Sequence, residues 1–170
     1  MVAAIPDKTT ARQHSVARSS FLVVGYGSLW HGDDSVGQRV AQAVERWRLP
    51  EVNIIRVAQL SPRLVGAIAA ADYVLFVSAC HTHSCQTQVT PLSIGSLGAA
   101  RPTADSSPRQ LLNLTWTLHG RQPQAWLLEV PAEHFAPGVE FSSAARQGLM
   151  QTVDKIALFL RSYRPVGLAS

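Results

Sequence analysis

Only two cysteines, Cys80 and Cys85, occur in 170 residues, too few for a disulfide framework. Their Cys-His-x-His-x-Cys surroundings also lack the spaced second pair of ligands that a zinc finger needs. Long apolar runs are missing as well. The longest, such as residues 73–77, are strand-sized, against about 20 residues for a bilayer span. Charge is sparse at 15%, and the excess of 15 basic over 11 acidic residues is small. Part of that excess lies in the first twenty residues, where Lys8, Arg12 and Arg18 face only Asp7. No basic run follows, which argues against a nucleic-acid partner. The same opening segment has no apolar core of a secretory signal, so residues 1–20 are expected to be a flexible extension and the protein cytoplasmic.

What the chain does have is 46% hydrophobic residues and a length suited to one domain with a real core. Residues 21–27, Phe-Leu-Val-Val-Gly-Tyr-Gly, form an apolar run ending in glycines, the pattern of a buried strand. Val36, Val40, Ala43, Val44 and Trp47 then recur at helical spacing behind Asp33 or Asp34 as a cap, and Pro50 closes the segment. Residues 52–57 read as a second strand, a helix starts at Ser61-Pro62, and residues 73–77 form a third strand. A strand is expected at 88–94, a long loop at 95–107, a helix from Ser107-Pro108, a strand at 125–130 and a last helix capped by Ser142 or Ser143. Trp47, Trp116 and Trp126 fall on apolar stripes and are expected in the core. Strands alternating with helices imply right-handed crossovers and a mostly parallel, five-stranded sheet covered on both faces: an α/β three-layer sandwich spanning residues 21–164, with 165–170 as a tail.

Ligands of such sheets bind beyond the carboxyl ends of the strands. Residues 27–34, 58–61 and 78–85 should meet there. The first stretch places Asp33 and Asp34 at a helix start, after a glycine turn. A dinucleotide is not expected: Trp30 stands where a third glycine belongs, strand two ends in Ala58-Gln59 without an acid for a ribose, and two carboxylates repel a pyrophosphate. Capping accounts for one carboxylate, since adjacent residues cannot both cap, and leaves the other for chemistry or for solvent. His81 and His83 follow strand three and could bind nickel or zinc, with cysteine thiolates as further donors, or could simply belong to a polar loop. Cys80 beside His81 or His83 is a weaker nucleophile scheme, and no Gly-x-Ser-x-Gly elbow surrounds Ser28 or Ser78. Trp30 lies in the turn itself, where an exposed aromatic could contact a peptide.

The opening Gly25-Tyr26-Gly27-Ser28-Leu29, followed by Asp33-Asp34-Ser35-Val36-Gly37, resembles the signature of the hydrogenase maturation proteases. The similarity continues through residues 59–64, 71–77, 107–112, 123–126 and 130–131, nearly everything after residue 20, and is closest to the branch serving NAD-linked bidirectional hydrogenases. The resemblance implies a five-stranded α/β sandwich that removes the C-terminal extension of a nickel–iron hydrogenase large subunit. Nickel would arrive in that client, and the protein itself is expected to act as a monomer without nucleotide or membrane. The family recognises the nickel through an acid at the helix start, an acid after strand three and a later histidine. Carried over, the first is Asp34. The second position is Ser78, and residues 103–107, where the histidine belongs, contain none; Ala58 stands at a further histidine position, and Ser28 also departs from the pattern. Asp34 is therefore expected to carry catalysis and, with His81 and His83, to meet the metal. Ser28, Trp30, Asp33 and Ser78 are expected to line the binding turn, Asp33 by capping the helix. The alternatives are an inactive homologue that holds the precursor as a scaffold, and an unrelated metal-binding module built on His81 and His83.

Overall fold

The computed structural model describes residues 20–81, 85–93, 106–138 and 140–163. All of the expected extension at 1–20 except Ser20, the tail, most of the loop at 95–107, and His83 fall outside these residues. Five strands, β1 (Phe21–Tyr26), β2 (Val52–Val57), β3 (Tyr73–Ala79), β4 (Gln88–Leu92) and β5 (Gln124–Val130), form one sheet in the order β2-β1-β3-β5-β4. All pairs are parallel except β4 with β5. Pro91 lies in β4, at the sheet's edge, where a missing N–H is tolerated.

The helices are α1 (Val36–Glu45), α2 (Val65–Ala70), α3 (Pro108–His119) and α4 (Ser143–Tyr163). Val36, Val40 and Val44 of α1 and Ile156 and Leu160 of α4 bury against one face of the sheet, with Val23, Leu75, Val77 and Leu128. Val65 and Ile68 of α2 and Leu111 and Leu112 of α3 cover the other, with Val24, Val74 and Phe76. The three-layer α/β sandwich is thus present. Each buried aliphatic side chain contributes about 1.5–3 kcal/mol. The central strands are apolar over most of their length because both of their faces are covered, with Ser78 and Glu129 near the carboxyl ends of β3 and β5 as exceptions.

At the amino ends of the strands Phe21, Tyr73, Trp126, Phe159 and Tyr163 form a continuous aromatic cluster, with centroids 4.4 Å apart for Phe159 and Tyr163 and 4.6 Å for Trp126 and Phe159. Trp47 and Trp126 pack on the core as expected. Trp116 does not: it is 44% exposed. The buried stripe of α3 is Leu111, Leu112 and Thr115, whose hydroxyl donates to Leu111 O at 2.7 Å and so can be buried. Trp116 follows one position later, a rotation of about 100° toward solvent.

Ser107 and Gln110 form the capping box that starts α3, with Gln110 N donating to Ser107 Oγ at 3.2 Å and Ser107 N to Gln110 Oε1 at 2.7 Å. Ser142 caps α4 through Ala145 N, at 3.0 Å. At the other end of the first loop, Gly37 lets α1 lie directly on the sheet. A Cβ there would strike the carbonyl oxygens of Val77 and Tyr26. Gly37→Ala should therefore cost about 1–3 kcal/mol by overpacking, read as a lowered denaturant midpoint at unchanged m-value. A midpoint equal to that of the parent would show that α1 can lift away freely.

Candidate active site

Chain order reverses between β1 and β3: β2 lies to one side of β1 and the later strands lie beyond β3. The crevice at their carboxyl ends is where a doubly wound sheet binds ligands. Gly27, at φ 133°, turns the chain out of β1, a conformation suited to glycine. Its N–H donates to Val57 O at 3.2 Å, and Gln38 Nε2 donates to its carbonyl at 2.7 Å. The loop returns through a 3-10 turn, Gly32–Ser35, that carries both aspartates.

Asp33 was expected to cap the helix, and it does not; neither aspartate caps it. The turn continues straight into α1, and the Asp33 carboxylate is fully buried against the segment after β5. Oδ1 accepts from Ser142 N at 2.7 Å. Oδ2 accepts from Glu133 N at 2.7 Å, His134 N at 3.0 Å and Ser142 Oγ at 2.5 Å. Asp33 N donates in turn to His134 O at 2.7 Å. Burial alone would raise the pKa of this carboxyl. The Glu133 N–H, the Ser142 hydroxyl and the N–H groups of His134 and Ser142 outweigh it and hold the pKa below the ordinary value.

Asp34 points the other way, toward the crevice. Its Oδ2 accepts from Ser28 N at 2.7 Å, and its Oδ1 lies 3.6 Å from His81 Nε2, with the Asp34 side chain 24% exposed. The His81 ring stacks on Phe135, centroids 4.5 Å apart, so the segment anchored by Asp33 also supports the histidine. Ser28 Oγ meets His31 Nδ1 at 2.6 Å. Leu29 and Trp30 project at the rim, Trp30 81% exposed. Ala58 and Gln59, exposed, end the neighbouring strand.

Ser78 turns its hydroxyl to Tyr26, whose pKa is raised. Burial is the largest cause, partly offset by that hydrogen bond, and the Glu129 and Asp34 charges add to the rise. Sequence reasoning missed Glu129. It pairs with Ser78 across β3 and β5, so it stands on the same sheet face one strand over. The available signal was an acid within the apolar run Ala-Trp-Leu-Leu-Glu-Val, which only strand register connects to Ser78.

Cys80 and Cys85 are joined in a disulfide, with Cα atoms 6.3 Å apart. The expectation of too few cysteines for a framework stands, since this bond links no distant elements. The thiolate donors and the Cys–His nucleophile are corrected: each sulfur is already bonded to the other. Among the described residues no three His, Cys, Asp or Glu side chains gather to hold a metal ion. Asp34 and His81 are brought together, and His83 lies outside the described residues. No described helix is long and apolar enough to cross a membrane.

Removing the Asp33 charge should loosen the whole rim. Asp33→Asn keeps one accepting oxygen but sets its amide NH2 against at least one donor, Ser142 N, and should cost about 2–4 kcal/mol. The folded pKa lies below the unfolded value of about 3.9, so the stabilisation is complete above that value and lost as pH falls through the folded one. Denaturant titrations between pH 7 and pH 2 should show a steeper acid loss for the parent than for Asp33→Asn. Parallel curves would contradict this assignment.

No protein-family model matches the chain. No curated protein sequence matches it either. Solved structures do. The [NiFe] hydrogenase maturation protease HycI from Thermococcus kodakarensis KOD1 superposes with a TM-score of 0.67 at 23% identity, covering 85% of this chain and 94% of that one. The hydrogenase maturating endopeptidase HybD from E. coli gives 0.64 at 20%, covering 84% and 93%. The hydrogenase 2 maturation peptidase from Thaumarchaeota archaeon SCGC_AB-539-E09 gives 0.63 at 18%, covering 84% and 99%. With likeness over nearly the full length of those proteins, this chain has the fold of the hydrogenase maturation proteases.

Proposed function

We propose that the protein is an endopeptidase that removes the C-terminal extension of a [NiFe] hydrogenase large subunit during maturation; the solved structures it resembles are named as hydrogenase maturation proteases, endopeptidases or peptidases. The observation that carries this reading is the Asp34 carboxylate, oriented by Ser28 N and facing His81 Nε2 at 3.6 Å across the sheet's switch point. Carboxylate and imidazole are suitable donors to nickel, which here arrives with the client as part of the substrate. Bound nickel would polarise the scissile carbonyl or a water. Asp34 and His81 would orient the metal-bearing end of the precursor, while Trp30 and Leu29 grip the peptide at the rim. Glu129, beside Ser78, supplies the second carboxylate that the family pattern puts at the end of β3. A protein of this kind would work in the cytoplasm, as a monomer.

One observation favours the scaffold reading: the Ser78 hydroxyl is neutral and already engaged with Tyr26. A processing assay with nickel-loaded precursor separates the two. Asp34→Ala should lower cleavage by more than the roughly 10–100-fold typical of outer-shell losses, and Glu129→Gln and His81→Ala by about 10–100-fold. Full cleavage by Asp34→Ala removes Asp34 from the machinery. Precursor bound but uncut by the parent chain establishes the scaffold. Trp30→Ala should weaken precursor binding by about 10-fold while bound precursor is still cut; unchanged binding would remove Trp30 from the client surface.

A further inference from the structure

The two sulfurs of the disulfide differ in access. Cys80 is 3% exposed, its N–H donating to Val130 O at 2.8 Å at the end of the sheet. Cys85 is partly exposed and lines a cavity of about 390 Å³ between the lead-in to β4 and α4. That volume is within the range of small-molecule sites. Gln147, Gln151 and Lys155 form the α4 wall. Lys155 Nζ donates to Thr87 O at 2.9 Å, and Thr87 Oγ1 donates to Gln151 Oε1 at 3.0 Å, so the wall is fixed to the segment that carries Cys85. An ammonium has three hydrogens, and one serves Thr87. The cavity therefore presents a positive charge and amide groups beside one reachable disulfide sulfur.

We propose that Cys85 is a thiol–disulfide exchange site, and that this cavity admits a low-molecular-weight thiol bearing a carboxylate. The carboxylate sits by Lys155, and the thiolate attacks Cys85 Sγ. A new sulfur–sulfur bond forms to Cys85 as the Cys80–Cys85 bond breaks, and Cys80 leaves as the thiolate, later taking up a proton. A second thiolate attacking the bound thiol's sulfur releases the oxidised dimer of the small thiol and leaves Cys85 reduced. Electrons balance within each exchange, the small thiol being the reductant. His81 directly follows Cys80, so opening the bridge removes a covalent tie one residue from the His81–Asp34 pair. Control of peptide processing by this step rests on the function proposed above; the exchange itself does not.

The full chain, purified without reductant, is treated with reduced glutathione or with uncharged 2-mercaptoethanol, then alkylated and mapped by mass spectrometry. Glutathione should attach to Cys85 with the alkyl group on Cys80. Lys155→Gln should slow the glutathione reaction about fivefold and leave the 2-mercaptoethanol reaction unchanged, whereas Lys155→Arg should restore it. Both cysteines alkylated before any thiol is added, an adduct on Cys80, or equal slowing with both thiols overturns the proposal. Nitrogen NMR of the His81 ring reads the second half without any client: its signal should shift on exchange in the parent and stay fixed in a Cys80→Ser/Cys85→Ser variant given the same thiol. A parent signal that does not move overturns the coupling to the crevice.

Discussion

The Asp33 carboxylate joins three stretches of chain that no strand or helix connects. It stands on the turn after β1, receives the N–H groups of Glu133 and His134 beyond β5, and takes both the N–H and the hydroxyl of Ser142, the residue that caps α4. A buried carboxylate without partners would be neutralised or expelled. Four donors make it stable as an anion, and each donor is thereby fixed in place. Phe135 belongs to the segment so held, His81 lies on Phe135, and Asp34 faces His81. The arrangement of the crevice thus depends on a charge that never reaches it.

The two ends of the sheet are built differently. At the amino ends, an aromatic cluster from β1, β3, β5 and α4 packs the sheet against its helix, with Ser20, Asp72 and Arg121 pairing at the surface beside it. At the carboxyl ends, apolar packing gives way to hydrogen bonds, glycine turns and partly exposed charges. Gly37 and Gly27 bring the start of α1 close enough to β1 for Asp34 to reach the Ser28 N–H. Rigidity at one end leaves the other free to carry polar groups at a cost the core can absorb.

The sequence discloses the parts of this design governed by short-range rules. Continuous apolar strands, Ser107-Pro108 before a helix and the run at 52–57 identify themselves, because strand burial and capping are written within a few residues. The position of Asp34 was legible too, as an acid after a strand and a glycine turn. Long-range pairings were not. The task of Asp33 depends on residues a hundred positions away, and adjacency to Asp34 suggested capping instead. Glu129 gains meaning only from the register of β5 on β3. The bond between Cys80 and Cys85 depends on how the chain turns after β3, which cysteine counting does not reveal. Trp116 misled because its helix buries a threonine whose hydroxyl is satisfied within the helix.

Adjacent aspartates can serve opposite ends of the architecture because of the turn that carries them. A 3-10 turn has three residues per revolution, so consecutive side chains diverge by about 120°. In a strand they would divide between two faces of the sheet, and in an α-helix they would lie only about 100° apart. Here one carboxylate faces the interior and is saturated with donors, while its neighbour faces the crevice with one donor and an imidazole. Charge repulsion between them is tolerable because four donors stabilise the inner anion while the outer one is partly exposed to solvent. The outer carboxylate consequently keeps its own coordination free for whatever enters the crevice, and the inner one keeps the crevice in shape.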